Sequence, residues 1–383
     1  LYTRVLEHIF PNYAEEAPLE RCITRQVISF LGGDASFNVD FKNPAFLQPP
    51  YNAFTVLRAK FDRWLAEQAE AAGAMLVPGI KVEQVIKDGS GRVVGVLAGE
   101  DELMADVVIA ADGATSFLAQ QAGLRGRIDT RHVATGVKAV VGLPQATIED
   151  RFHLDGNEGV AYTTLGAATR GVAGGGFLYT NRESLSVGLV MRLDDLVRTQ
   201  SRPAEIFDEF LAHPAIAPLL KDGELLEYGA HLVPEGGLEM VPQLYADGML
   251  VVGDAAGLVI NNGFAIRGMD LAIGSAVAAA QAVAEAREAN DFSARSLSRY
   301  KTMLDRSFVM RDMRTYSRAP HFLDNPRLFK QYPELLADMM TRIYTQNADG
   351  KQPARNEARQ SLKDSRISLA QLARDVLEGA RAL

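Results

Sequence analysis

The chain has 383 residues, 47% of them hydrophobic and 23% charged, enough apolar material for a large core and, by length, about two to three domains. Its 40 Lys and Arg stand against 48 Asp and Glu, a net charge of −8 with no basic block, which argues against a nucleic-acid partner. The single cysteine, Cys22, excludes an internal disulfide, a four-cysteine iron–sulfur site and a zinc knuckle within the chain, and points to a reducing, cytoplasmic compartment.

In chain order, residues 56–73 read as a strand end and then a helix. Phe61, Trp64, Leu65, Ala69 and Ala72 recur at helical spacing, Arg58 and Lys60 occupy the first turn, and Gly73 is the stop. Strands are predicted at 75–78, 81–87 and 92–98, the last two joined as a hairpin by Asp88-Gly89-Ser90-Gly91. Residues 107–111 form an apolar strand ending in Asp112-Gly113, and a helix over 115–122 is closed by Gly123. Over 131–244 the texture changes to short strands, at 133–141, 159–164, 174–180 and 185–193, with turns such as Thr180-Asn181-Arg182-Glu183. One helix interrupts them, with Pro203 near its start, Pro214 at its end, and Ile206, Phe207, Phe210 and Leu211 inward. This predicts a mostly antiparallel substrate domain inserted into a dinucleotide-binding one.

Residues 249–252 form a short apolar strand that empties into Gly253-Asp254-Ala255-Ala256-Gly257. Asp254 falls at the strand's carboxyl end, where parallel α/β sheets place their ligand crevice. The small residues beside it leave the backbone bare. Gly263, Phe264 and Ala265 then lead into a helix whose amino end favours negative charge. A carboxylate for sugar hydroxyls, a bare shelf and a helix amino end together suit a flavin dinucleotide; the plain alternative is a tight strand-to-helix turn with a solvated Asp. The strand ends at Asp112-Gly113 and Gly253-Asp254 read as crevice-lining turns of one parallel sheet. The apolar helix over 271–284 is shorter than the about 20 residues a membrane span needs, so any membrane contact is expected to be peripheral. Six histidines show no metal spacing, and none has an evident nucleophile partner. Beyond 293 the chain turns helical. The charge-dense tail, 345–383, carries Leu369, Leu372 and Val376 at helical spacing, and whether it packs on a partner or lies loosely stays open.

Several stretches in order resemble the electron-transfer-flavoprotein:quinone oxidoreductase family, and within it the bacterial Fix-type FAD subunit. They are Thr55-Val56-Leu57-Arg58-Ala59-Lys60-Phe61-Asp62, Ala110-Ala111-Asp112-Gly113, Gly174-Gly175-Gly176-Phe177-Leu178-Tyr179-Thr180-Asn181 and Val233-Pro234-Glu235-Gly236-Gly237. Gly263-Phe264-Ala265-Ile266-Arg267-Gly268-Met269-Asp270, Pro320-His321-Phe322-Leu323-Asp324-Asn325-Pro326 and Tyr332-Pro333-Glu334 complete the match. The resemblance implies an α/β fold: a Rossmann-like parallel sheet for FAD, an inserted, mostly antiparallel sheet domain, and a helical C-terminal region. The boundaries expected are 1–130 and 245–320 for the two parts of the FAD domain, 131–244 for the quinone or substrate domain, and 321–383 for the helices. One departure stands out. Family members open with a strand, a G-x-G-x-x-G turn and a helix that cradle the pyrophosphate. No such turn occurs here, so the chain reads as starting about 50 residues into the family pattern, with that βαβ unit missing.

By the resemblance, Asp254, with Gly253 before it, holds the flavin ribityl chain. Gly263, Phe264, Ala265 and Ile266 present backbone to the ring edge at N1 and the C2 carbonyl. Arg58 approaches the phosphates, and Val82, Asp112 and Gly113 lie near the adenosine. Gly236 and Gly237 present backbone to the quinone. No catalytic side chain and no metal are expected. The implied function passes electrons from an electron-transferring flavoprotein to a membrane quinone, with iron–sulfur chemistry in a separate ferredoxin-like subunit and contact with the inner face of the cell membrane. Two rivals remain. One is a related flavoenzyme, similar to a geranylgeranyl reductase or aromatic hydroxylase; the other is a truncated, flavin-free interaction subunit.

Overall fold

The computed structural model describes residues 1–346, 348 and 350–383. Its largest element is an eight-stranded sheet. From one edge the strands run Glu224–Pro234, Val133–Gly142, Ser184–Arg192, Gly174–Thr180, Glu158–Gly166, Leu19–Gly32 and Ala35–Lys42, with Phe54–Val56 also on Leu19–Gly32. All pairings are antiparallel except that of Leu19–Gly32 with Glu158–Gly166. Strand alternation explains why the sheet has two different faces. Val137, Leu178 and Leu189 point to one side and close a core with Ile148 and Phe152 of helix Gln145–Phe152 and Phe207 and Phe210 of helix Pro203–Ala212. The other face is lined by glycines and aromatics, and it faces a cavity.

A second, three-stranded sheet carries the predicted crevice. Met249–Val251 runs parallel to Val108–Ala110, with Met249 opposite Val108 and Val251 opposite Ala110. The two glycine-bearing strand ends therefore do lie side by side at the carboxyl edge. Tyr245–Ala246 pairs antiparallel on the far side. Helix Met269–Glu288 covers this sheet through Ala278, Ala279 and Ala282, whose small side chains permit close approach. Behind it, Tyr300 of helix Ala294–Arg306 buries its hydroxyl and donates to the Val251 carbonyl at 2.9 Å.

Some elements differ from the sequence reading. Residues 75–78 form no strand: Met75, Leu76 and Val77 are exposed, and Gly79, at φ +81°, turns the chain into the hairpin Val82–Lys87 and Val93–Ala98. The long helix begins at Met269 rather than near Ile266, because Ile266–Arg267 first pairs with Ile260–Asn261. Helices Gln145–Phe152 and Leu193–Thr199 and the strands Leu19–Gly32, Ala35–Lys42 and Glu224–Pro234 were not anticipated. Among its described residues the tail holds the helices Ala354–Asp364 and Leu369–Ala382, and the second docks by a face its apolar periodicity does not mark. Asp375, Gly379 and Ala382 turn inward while Leu369 and Val376 stay exposed. Asp375 is clamped by Arg327 at 2.7 and 2.8 Å and by the Tyr332 hydroxyl at 2.5 Å, and these partners hold its carboxyl down to about 2. No helix among the described residues is long and apolar enough to cross a membrane.

Candidate functional site

The strand Met249–Val251 leads into a tight 3-10 turn, Gly253–Ala256. Gly253 has φ +58°, and a Cβ there would lie 3.2 Å from the Ala272 methyl, so only glycine lets the turn sit against the long helix. Its N–H donates to Ser275 Oγ at 3.0 Å. From below, buried Arg125 donates to the Ala255 carbonyl at 2.8 Å and the Met240 carbonyl at 2.9 Å, which fixes the turn in place. Asp254 is thereby aimed into a cavity of about 880 Å³. Its carboxylate makes no hydrogen bond among the described residues. Burial raises its pKa, against the opposing charges of Arg58 and His231.

The cavity lies between the turn and helix on one side and the glycine-bearing face of the large sheet on the other. On the sheet side Phe177 and Tyr179 stack with ring centroids 5.0 Å apart. Gly175 lines the wall, and a Cβ there would lie 2.7 Å from the Thr164 carbonyl. A third side is closed by Phe322, Leu323 and Phe329. Above the turn, residues 260–268 form a loop wall held by side chains. Asn261 Oδ1 accepts from Gly263 N–H at 3.0 Å, Asn262 Oδ1 accepts from Phe264 and Ala265 N–H at 3.1 and 2.8 Å, and Thr163 Oγ1 donates to the Phe264 carbonyl at 2.6 Å. Arg267 donates to Asp270 at 2.6 Å and Asp312 at 3.0 Å, and Arg4 reaches both carboxylates from the other side.

Of the residues singled out from sequence, Arg58, Gly113, Gly253, Asp254, Gly263, Phe264, Ala265 and Ile266 all line this one cavity. Arg58 sits at its rim, paired with Asp62 at 2.8 and 2.9 Å. The N–H groups of Gly263, Phe264 and Ala265 are already engaged by the two asparagines, so what they offer a ligand is surface and shape. Asp112 is not part of the lining: it caps the helix Phe117–Ala122, accepting from Ser116 Oγ at 2.8 Å and Leu118 N–H at 3.0 Å. Val82 lies exposed on the hairpin away from the cavity. Gly236 and Gly237 are buried outside it, packed against the His132 ring and Pro320 respectively. Glu235, just before them, lines the cavity instead. Sequence reasoning also passed over Thr163, Asn261 and Asn262. The Asn-Asn pair ahead of Gly263 was the available signal, since Asn side chains commonly bond backbone N–H groups two residues on.

These residues fit a flavin dinucleotide. The volume falls within the range of small-molecule pockets, roughly 300–1,000 Å³. An unpartnered carboxylate stands in the lining as an acceptor for sugar hydroxyls, and Gly253 and Gly175 leave bare backbone in the wall beside it. The cavity is not plugged by the protein's own side chains.

Comparison with known proteins gives a consistent picture. The FAD dependent oxidoreductase family matches residues 51–282, and the ETF-QO/FixC family C-terminal domain matches residues 319–383. The chain is 47% identical over all 383 residues to the probable electron transfer flavoprotein-quinone oxidoreductase YdiS of Escherichia coli strain K12, covering 89% of that protein. It is 45% identical, with the same coverage, to protein FixC of Salmonella typhi. Among solved structures, a geranylgeranyl bacteriochlorophyll reductase-like protein of Thermoplasma acidophilum aligns with a TM-score of 0.70 at 19% identity, over 99% of this chain and 88% of the other. That last likeness speaks for the fold alone.

Proposed function

The chain belongs to the electron-transfer-flavoprotein:quinone oxidoreductase/FixC family of FAD-dependent oxidoreductases, and on that premise we propose that it carries electrons from an electron-transferring flavoprotein to a membrane quinone. It does so as one subunit of a complex whose iron–sulfur chemistry resides in a ferredoxin-like partner, at the inner face of the cell membrane. FAD supplies the transfer of one or two electrons. The chain's own residues bind and orient. Asp254 holds ribityl hydroxyls, Arg58 leaves Asp62 for a phosphate, and the loop from Gly263 to Ile266, set after Gly253 and Asp254, frames the ring edge. Gly113 would stand by the adenosine end, beside the helix that Asp112 caps. The sheet domain, residues 131–244, faces the acceptor; residues 1–130 and 245–320 carry the cofactor, and 321–383 close the cavity's far side.

The observation that carries this reading is the single cavity, with a free carboxylate at one end and an apolar, glycine-floored sheet face at the other. The apolar sheet face would offer a planar acceptor a surface within the same cavity as the cofactor. The test is reduction of a water-soluble quinone analogue by the flavin-loaded protein, with reduced electron-transferring flavoprotein as donor. Asp254→Ala is expected to weaken flavin retention about 10- to 100-fold, the loss of a charged hydrogen bond of about 1.5–3 kcal/mol. Direct consumption of NAD(P)H without the carrier, or undiminished flavin binding in Asp254→Ala, would refute these assignments.

A further inference from the structure

Glu235 follows directly on the edge strand Glu224–Pro234. Its N–H donates to the His132 carbonyl at 2.7 Å, which anchors it, and its side chain lines the cavity although only 8% of the residue is exposed. The carboxyl accepts one hydrogen bond, from Asn261 Nδ2 at 3.1 Å, and has no salt-bridge partner among the described residues. Two charged groups act on it, Arg192 and Asp194, and His132 lies beside its backbone. Arg192 is committed to Asp324, Asp194 opposes Arg192, and His132 packs its ring on Gly236. Burial outweighs the Arg192 charge and the Asn261 hydrogen bond, and pushes the carboxyl up to about 6. Asn261 is bonded in turn to Gly263 N–H, so acid, amide and loop wall form one hydrogen-bonded line along the cavity. A glutamine would serve a purely structural contact at lower desolvation cost, since its amide also accepts from Asn261 and never ionises.

We propose that Glu235 is the proton-donating group of the cavity, giving a proton to a quinone oxygen as the quinone is reduced. The inference rests on the quinone reading above. A quinone becomes a hydroquinone by gaining two electrons, whose source is the reduced electron-transferring flavoprotein, and two protons. The Glu235 O–H bond breaks as one quinone O–H bond forms. Water at the cavity mouth supplies the second proton and afterwards reprotonates the carboxylate.

Two readouts test this on the purified protein and its Glu235→Gln and Glu235→Asp variants. In an infrared pH titration, which needs no turnover, the wild type shows a carboxylic C=O band that fades with a midpoint near 6 and is missing in Glu235→Gln. In quinone-analogue reduction, wild-type kcat falls as pH rises above that midpoint. Glu235→Gln lowers kcat about 100-fold, flattens the profile and leaves KM unchanged, and Glu235→Asp recovers part of the rate. A missing infrared band, or an unaltered pH profile in Glu235→Gln, overturns the proposal while leaving quinone reduction standing. A wild type that reduces no quinone removes that reading and this one with it.

Discussion

The two walls of the cavity are built by different physics. The sheet wall is a ladder of backbone hydrogen bonds whose cavity face is shaped by what is left out. Glycine at 188 lets the Phe177 ring, stacked on Tyr179, lie close to the strands, and glycine at 175 leaves the backbone beside Thr164 bare. The loop wall over residues 260–268 has only a two-residue ladder, Ile260–Asn261 with Ile266–Arg267. It takes its shape from a few side chains: Asn261 and Asn262 from within it, Thr163 from the sheet, and Arg4 and Asp312 from distant parts of the chain. A sheet wall of this kind is pre-formed by folding. A loop wall of this kind depends on a few polar contacts, each of which can be removed singly.

The largest effect is expected at Arg267→Ala. Asp270 is 1% exposed, and its remaining partner, Arg4, is a half-exposed side chain reaching in at 3.1 Å. Stripping one arginine from a buried carboxylate costs about 3–5 kcal/mol. Denaturant unfolding should register that loss, and flavin retention should fall with it, because Arg267 carries the end of the loop. A variant that unfolds like the wild type would mean that Arg4 alone suffices and that the loop wall is held elsewhere.

The same contrast explains what was legible in the sequence. The strands of the sheet wall advertise themselves by alternation and by turns, and 133–141, 174–180 and 185–193 came close to their observed bounds. The turn at Asp254 was legible because strand, glycine and carboxylate are consecutive. The bracing of the loop wall was not legible, since Arg4 and Asp270 lie 266 positions apart and Thr163 and Phe264 lie 101 apart. No local pattern encodes such pairs. Glu235 was missed for a related reason. Its partner Asn261 is 26 residues away, and the adjacent glycines drew attention to backbone that proves to be buried.

The sheet wall should break through volume, not charge. At Gly188 an added Cβ would lie 2.5 Å from the Val137 carbonyl and 2.7 Å from Phe177 Cε1. Gly188→Ala should therefore cost about 1–3 kcal/mol and push the Phe177 ring into the cavity. At Gly229 on the edge strand, two strands away, nothing lies within 4 Å of the same Cβ, so Gly229→Ala should stay within about 0.5 kcal/mol of wild type. Paired unfolding curves check this. Equal costs at the two glycines would show that general β-propensity, rather than the close approach of Phe177, sets the requirement.

The smallest effect, and the most discriminating, belongs to Thr163→Val. Its hydroxyl makes the 2.6 Å bond to the Phe264 carbonyl that ties one wall to the other. Phe264 is half exposed, so the freed carbonyl can turn to water, and the net loss should not exceed about 0.5–1.5 kcal/mol. Little of that loss should appear in global unfolding, because the sheet does not depend on the loop. It should appear instead as faster hydrogen exchange confined to residues 262–266, with the strands Glu158–Gly166 and Gly174–Thr180 still fully protected. Exchange that spreads into those strands would show the walls to be one cooperative unit, and the sheet could then no longer be treated as a scaffold formed independently of the loop.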